Sequence, residues 1–249
     1  MDSPLPITLG LESSAGRGSV ALAQGDVLLA EEAVEAAHGH AAWIIPLAQR
    51  ALVKAGLSFA DIEAIVAGRG PGSFTGIRVA LAAAKGLGLS LGLKAVGRSS
   101  LAAMAHHDKT PNCAVISLID SRRKSIYFQA FDENTAELCP ATDGQVDDII
   151  AAAKTFSTAK SSTAGSSAVG SAMENKAKKT LLINGHQAAD IARLLHQHGI
   201  SPDVDIKIGA ASFPSAADLC RLYAATPMMD EGLEPLYLAP PLISKAAVK

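Results

Sequence analysis

The chain has 249 residues, 49% of them apolar, enough for one large core or two modest ones. A formal charge of −2 gives no overall basic field to hold a nucleic acid, and 4% aromatic content argues against base-stacking platforms. Three widely spaced cysteines, Cys113, Cys139 and Cys220, fit neither a disulfide framework nor a zinc cluster; with no signal-like apolar core in MDSPLPITLG, a reducing cytoplasm is the expected location.

In chain order, Ile7 to Glu12 reads as a strand ending in Glu12-Ser13-Ser14, followed by a turn at Ala15 to Gly18. Ser19 to Ala23 and Val27 to Glu31 continue it as a three-stranded antiparallel meander. A helix is predicted from His40 to Ala55, closed by Gly56; Pro46 inside it predicts a kink or a fresh start near that residue. Ala64 to Ala67 is a short apolar run that reads as a buried strand.

GRGPGSFTGIR follows, from Gly68 to Arg78. Gly70 and Gly72 permit positive φ, Pro71 stiffens the turn, and Ser73 or Thr75 is placed to cap the next helix. A strand, a rigid glycine turn and a helix N-terminus suit an anion or a partner's backbone, with a purely structural turn as the plain alternative. The spacing fits no Walker A loop, no dinucleotide fingerprint and no nucleophile elbow.

From Gly76 to Leu91 the pattern is helical. Gly76, Ala80, Ala83 or Ala84, and Gly88 share a face that invites close approach, and Arg78 and Lys85 are its only charges. An apolar circumference of this kind predicts burial in a core or an interface. The most apolar run, Val79 to Leu93, is shorter than the roughly 20 residues a membrane span needs. Leu93 to Val96 reads as a strand and Ser99 to His106 as a helix.

The second half echoes the first. Ala114 to Ile119 is a strand, Asp120-Ser121-Arg122-Arg123 a polar turn, and Ser125 to Phe131 a returning strand, so the acid–turn–strand pattern of Glu12 recurs at Asp120. Ala151 to Lys179 is poor in bulky residues and reads as a flexible insertion. Thr180 to Asn184 is predicted as a strand, Gln187 to His198 and Ser215 to Ala225 as helices, and Leu233 to Leu242 as an extended tail. His38, His40, His106, His107, His186, His196 and His198 match no metal template and read as structural or solvated, and spacing assembles no Ser–His–Asp set.

GRGPGSFTGIR, GLESSAGRGSVAL (Gly10 to Leu22), DSRRKSIY (Asp120 to Tyr127) and PLYLAPP (Pro235 to Pro241) resemble, in order and spacing, the signatures of the TsaB family, formerly YeaZ. The resemblance covers nearly all of the chain outside the insertion. It implies an α/β, actin-like ATPase (ASKHA, ribonuclease H-like) fold of two lobes with mixed sheets. Residues 1–110 would form the N-terminal lobe with the GPGSFTG motif, and residues 111–249 the C-terminal lobe with the insertion at about 151–179.

It also implies a non-catalytic partner of a TsaD-like paralogue, with no cofactor or metal of its own and no membrane. TsaC supplies the adenylate, TsaD transfers threonylcarbamoyl to the adenosine beside the anticodon, and a TsaE-like ATPase joins a ternary complex. Alone, the chain would self-associate as a homodimer, and tRNA would be met only through the complex; by its residues alone the run Arg122, Arg123 and Lys124 reads either as a contact there or as a solvated turn. The resemblance places the heterodimer interface on Trp43, Leu47, Ala51, Ser73, Phe74, Thr75, Gly76, Arg78, Ala80, Ala83, Ala84 and Leu87. A vestigial nucleotide site would comprise Glu12, Ser13, Ser14 and Asp120. Glu12 stands where the family pattern usually has Asp, Ser125 where it usually has an acid, and the TsaD-type His-x-x-x-His is absent. The alternative reading is a stand-alone actin-fold ATPase or phosphotransferase.

Overall fold

In a computed structural model, residues 5–35, 43–158, 179–200, 203–227 and 231–240 are described. The first sheet comprises β1 (Ile7–Glu12), β2 (Arg17–Gln24), β3 (Val27–Glu35), β4 (Ala64–Gly68) and β5 (Ala95–Arg98), ordered β3-β2-β1-β4-β5. The second comprises β6 (Cys113–Asp120), β7 (Ile126–Phe131), β8 (Thr142–Gly144), β9 (Lys179–Gly185) and β10 (Val204–Ile208), ordered β10-β9-β6-β7-β8. In each, a central strand has an antiparallel neighbour on one side and a parallel one on the other. The duplication expected of the actin-like fold is therefore present strand for strand.

β1 and β4 are apolar runs because the first sheet is covered on both faces. On one face lie α1 (Ile44–Ala55) and α2 (Phe74–Leu91), whose Leu47, Ala51, Ile77, Ala80 and Ala84 meet Leu9, Leu11 and Ile65 in one core. Burying a Leu or Ile side chain of this kind contributes about 1.5–3 kcal/mol. On the other face lies α6 (Ala216–Ala225), packed so closely that a Cβ at Gly10 of β1 would stand 2.5 Å from the Ala216 carbonyl oxygen. Between the sheets runs α3 (Ser100–His107), whose Leu101 and Met104 pack on the second sheet at Val115 and Phe131. The outer face of the second sheet carries α4 (Val146–Thr158) and α5 (Ala188–Gln197).

Several expectations are corrected. Of the two outcomes expected around Pro46, the fresh start is found and the kink is not: the first helix begins at Ile44, so Pro46 sits in its first turn, where the ring displaces no intrahelical bond; His40 to Ala42 lie outside the described residues. The strand expected at Leu93 to Val96 runs instead from Ala95 to Arg98. α4 takes up the first part of the stretch read as a flexible insertion, because Val146, Ile149, Ile150, Ala153 and Phe156 recur at helical spacing against the second sheet; residues 159–178 lie outside the described ones. β8 and β10 are unforeseen edge strands, three and five residues long, with too little alternation to announce themselves. α6, assigned to the second lobe by sequence order, packs on the first sheet.

α2 is not buried all round. Gly76, Ile77, Ala80, Leu81, Ala84 and Gly88 face the sheet, while Thr75, Arg78, Ala82, Lys85, Gly86 and Leu89 face outwards, Leu89 being 88% exposed. At 18 residues it is long and apolar enough to cross a membrane, but it lies along the first sheet.

Candidate functional site

The motif between β4 and α2 is shaped by what it lies on. Gly70 and Gly72 hold φ of 94° and 150°, and the Gly70–Pro71 peptide is cis. A Cβ at Gly72 would stand 2.1 Å from the Ser14 carbonyl oxygen, and one at Gly76 1.8 Å from that of Ser13. Only glycine tolerates such approach. The contact is then bonded shut: the Ser73 N–H donates to the Ser14 carbonyl at 2.6 Å, and Ser13 Oγ donates to the Gly76 carbonyl at 2.6 Å. Ser73, of the two predicted caps, accepts the Gly76 N–H at 3.3 Å, leaving Thr75 exposed.

Under this loop sits Glu12, fully buried. Its Oε1 accepts the Ser14 N–H at 2.6 Å and its Oε2 the Ser100 Oγ–H at 2.8 Å, while Ser14 Oγ donates to Ser100 Oγ at 3.0 Å. A Cβ at Gly68 would stand 2.1 Å from Oε2, so the carboxylate is walled in by backbone. Burial pushes its pKa above the ordinary range, and the bonds from Ser14 and Ser100 offset only part of that. Ser100 was missed by sequence reasoning, since nothing in a lone serine 88 residues away announces the contact.

Asp120, at the matching end of β6, is different. Its side chain is 42% exposed, its Oδ1 accepts the Arg122 N–H at 2.8 Å, and Arg122 Nε lies 3.6 Å from Oδ2. Asp120 and Arg122 line a cleft of about 100 Å³ between the two hairpins, opposite Gly16 and beside His186 and Phe213. Of the four residues expected to form a vestigial nucleotide site, Glu12, Ser13 and Ser14 form one buried cluster that does not line this cleft, and only Asp120 faces it.

The predicted partner residues divide three ways. Leu47, Ala51, Gly76, Ala80 and Ala84 are buried in the chain's own core, so the small-residue face of α2 meets its own sheet. Trp43, Ser73, Phe74, Ala83 and Leu87 are half-buried, and Thr75 and Arg78 are exposed. Trp43 is seated over Gly18, where a Cβ would stand 1.6 Å from its ring. Phe74 stacks on Tyr237 at 5.0 Å between ring centres. The Arg78 guanidinium lies 3.8 Å above the Phe74 ring, and its Nε–H donates to the Tyr237 hydroxyl at 2.8 Å.

Tyr237 belongs to a tail strapped across the motif. Arg69 holds it: the Leu236 N–H donates to the Arg69 carbonyl at 2.7 Å, Arg69 Nε–H to the Glu234 carbonyl at 3.0 Å, and its Nη1–H to the Glu231 carbonyl at 2.8 Å. Further on, the Arg123 guanidinium of the β6–β7 turn donates to the Pro240 carbonyl, tying the strap to the second lobe. Between the strap, the start of α2 and that turn is a larger cleft of about 220 Å³. PLYLAPP is visible as a motif, but its role is legible only in three dimensions.

No group of three histidine, cysteine or acidic side chains converges to hold a metal among the described residues. His107 Nδ1 lies 2.8 Å from Asp218 Oδ1, and Ser215 Oγ–H donates to Asp218 Oδ2 at 2.7 Å. The serine thus bonds to the acid and not to the imidazole, the wrong order for a nucleophile.

Residues 33–249 match the family model described as TsaD: tRNA N6-adenosine threonylcarbamoyltransferase. The chain is 40% identical over 99 residues to the tRNA threonylcarbamoyladenosine biosynthesis protein TsaB of Escherichia coli (strain K12), covering 38% of this chain and 43% of that protein. It is 35% identical over 123 residues to the Haemophilus influenzae protein of the same name, covering 48% and 51%. It thus spans about half the length of the curated relatives it matches. Among solved structures, YeaZ from Pseudomonas aeruginosa superposes with a TM-score of 0.65 at 21% identity, over 94% of this chain and 100% of that one. That likeness speaks for the fold, which is the actin-like one.

Proposed function

Because the chain belongs to the family of the tRNA N6-adenosine threonylcarbamoyltransferase model, and within it is of the TsaB/YeaZ type, we propose that it serves threonylcarbamoyladenosine formation in tRNA as a non-catalytic partner that activates a TsaD-like paralogue. A TsaE-like ATPase completes the assembly, and tRNA is engaged only through it.

The observation that carries this reading is the state of Glu12. A catalyst of this fold needs the acid ending its first strand free to orient a metal-bound nucleotide. Here that acid is buried, both its oxygens are bonded within the chain, and the GPGSFTG loop closes over its hairpin. A group so enclosed serves structure.

The partner surface is the outward side of α1 and α2. Ala80 and Ala84 are unavailable, whereas Val53 on α1 and Leu89 on α2 are 80% and 88% exposed. A large apolar side chain left in water on a helix otherwise packed below suits a docked neighbour.

The test is reconstitution of tRNA modification from the TsaD-like partner and its adenylate substrate. Omitting this chain should reduce modification to background, and the Glu12→Gln variant should restore it as fully as the unaltered chain. Leu89→Glu should abolish co-purification with the partner while the isolated chain keeps its thermal transition. Undiminished modification without the chain, or ATP turnover by the chain alone, overturns the reading.

A further inference from the structure

We infer that the 220 Å³ cleft between the start of α2, the β6–β7 turn and the C-terminal strap is a binding site for a small phosphate ester. It is distinct from the Asp120 cleft and from the outward faces of α1 and α2. At this size it falls below the roughly 300 Å³ of drug-sized pockets, and so suits a phosphoryl group with a short organic portion.

The walls are cationic: Arg122 and Arg123 enter from the second lobe, and no Asp or Glu lines the cleft among the described residues. Arg122 is shared with Asp120. Arg123 is not shared: it is half-buried, no carboxylate lies within ion-pair distance among the described residues, and its Nε is buried without an acceptor. Among the described residues its guanidinium donates to the Pro240 carbonyl, which is neutral. A guanidinium Nε buried without an acceptor, on a side chain that has no counter-charge, is unfavourable, and an anion relieves that.

From the opposite wall comes an independent set of donors. α2 is 18 residues long and its N-terminus opens on the cleft at Phe74 and Thr75. Ser73 caps only the Gly76 N–H, and Ile77 bonds back to the Ser73 carbonyl, so the N–H groups of Phe74 and Thr75 have no intrahelical acceptor. The exposed Thr75 hydroxyl adds a third donor. Donors from a planar fork on one side and two amides with a hydroxyl on the other match the three oxygens and near −2 charge of a phosphate better than a flat carboxylate. Tyr127 and the Phe74–Tyr237 stack supply apolar surface for the ester's organic part.

The experiment uses the full chain alone, so it does not depend on the partner reading. Backbone amide resonances are followed by NMR while phenyl phosphate, inorganic phosphate and a short single-stranded RNA are titrated separately. Phenyl phosphate is expected to shift the Phe74 and Thr75 amides saturably, inorganic phosphate to shift the same amides more weakly, and Arg123→Gln to weaken phenyl phosphate at least about tenfold, the loss expected for one charged hydrogen bond. Thr75→Val reads the same site from its other wall and should weaken phenyl phosphate several-fold even if Arg123→Gln disturbs the strap. Absence of saturable shifts at Phe74 and Thr75, equal titration of both variants and the unaltered chain, or a response to RNA but not to phenyl phosphate each overturns the assignment.

Discussion

The hairpins that follow β1 and β6 start from the same topology. Each comes after an acid at the end of a central strand, and each acid accepts the N–H two residues on, Ser14 at Glu12 and Arg122 at Asp120. Their second oxygens part company. At Glu12 it takes the hydroxyl of Ser100 beneath a lid of glycine backbone; at Asp120 it faces the Arg122 guanidinium in an open cleft. The cause lies in the neighbouring parallel strand. Five residues, Arg69–Ser73, link β4 to α2, enough chain to lean over the first hairpin, whereas two, His186 and Gln187, link β9 to α5. Loop length, more than the acid itself, has made one hairpin structural and left the other accessible.

That contrast breaks most easily at the closest contact. Gly76→Ala drives a methyl into the Ser13 carbonyl at 1.8 Å, in backbone that has no room to give. A loss of several kcal/mol is expected, at or beyond the upper end for overpacking, about 3 kcal/mol. Gly16→Ala, beside the second hairpin, meets only the end of the Arg122 side chain at 3.4 Å and should cost little. Urea unfolding of both variants makes the comparison, and equal midpoints would show that the lid over the first hairpin is loose.

The acids come next. Glu12→Ala strands the Ser14 N–H and the Ser100 hydroxyl in a buried void, with an expected loss of about 2–3 kcal/mol. Asp120→Ala, exposed and weakly paired, should stay within about 0.5 kcal/mol. Glu12→Gln sharpens the point. The folded pKa is raised above the unfolded one, so the stability linked to this carboxyl is fully present below the unfolded value, near 4.5, and is lost as pH rises through the folded value. The glutamine carries no such loss, and its stability relative to the unaltered chain should therefore improve from pH 4 to pH 8. A flat difference across that range would mean that Glu12 is not burdened by burial.

Much of this was legible in the sequence. The apolar runs and punctuating glycines placed both hairpins and α2 and narrowed the α2 cap to Ser73 or Thr75, and the motifs pointed to the actin-like fold. What was not legible is which way a helix faces. In α2, alanine and glycine fill both sides, so composition could not say that Ala80 and Ala84 meet the chain's own sheet while Leu89 meets water. Long-range polar contacts were equally silent: Ser100 reaching Glu12, or Arg69 holding the tail across 165 residues, leaves no local pattern. α4 was obscured because its last turns run into the Ser- and Ala-rich stretch, where apolar spacing fades.

α3 lies between the two sheets, offering Ser100 to Glu12 at its start and His107 to Asp218 of α6 at its end. If one end seals the first hairpin, the other should help fix α6 against the same lobe. The hydrogen bond to Asp218 raises the His107 pKa, against a smaller opposing effect of burial. For Asp218 burial acts upwards but is outweighed by His107, Ser215 and Arg221, and its pKa is lowered. A raised histidine contributes stability that is complete below its unfolded value, near 6.5, and is lost as pH rises through the folded one; a lowered aspartate contributes above its unfolded value, near 3.9, and loses it as pH falls. Both operate together between those limits. Because His107 is 37% exposed, solvent screening holds the expected effect to about 1 kcal/mol or less. Urea midpoints of the unaltered chain and His107→Ala should therefore differ most near pH 5.5 and converge towards pH 8.5, where Arg221 alone still pairs with Asp218 at 2.9 Å. A gap that stays constant over that range would mean that packing, and not the ion pair, makes this end of α3 hold.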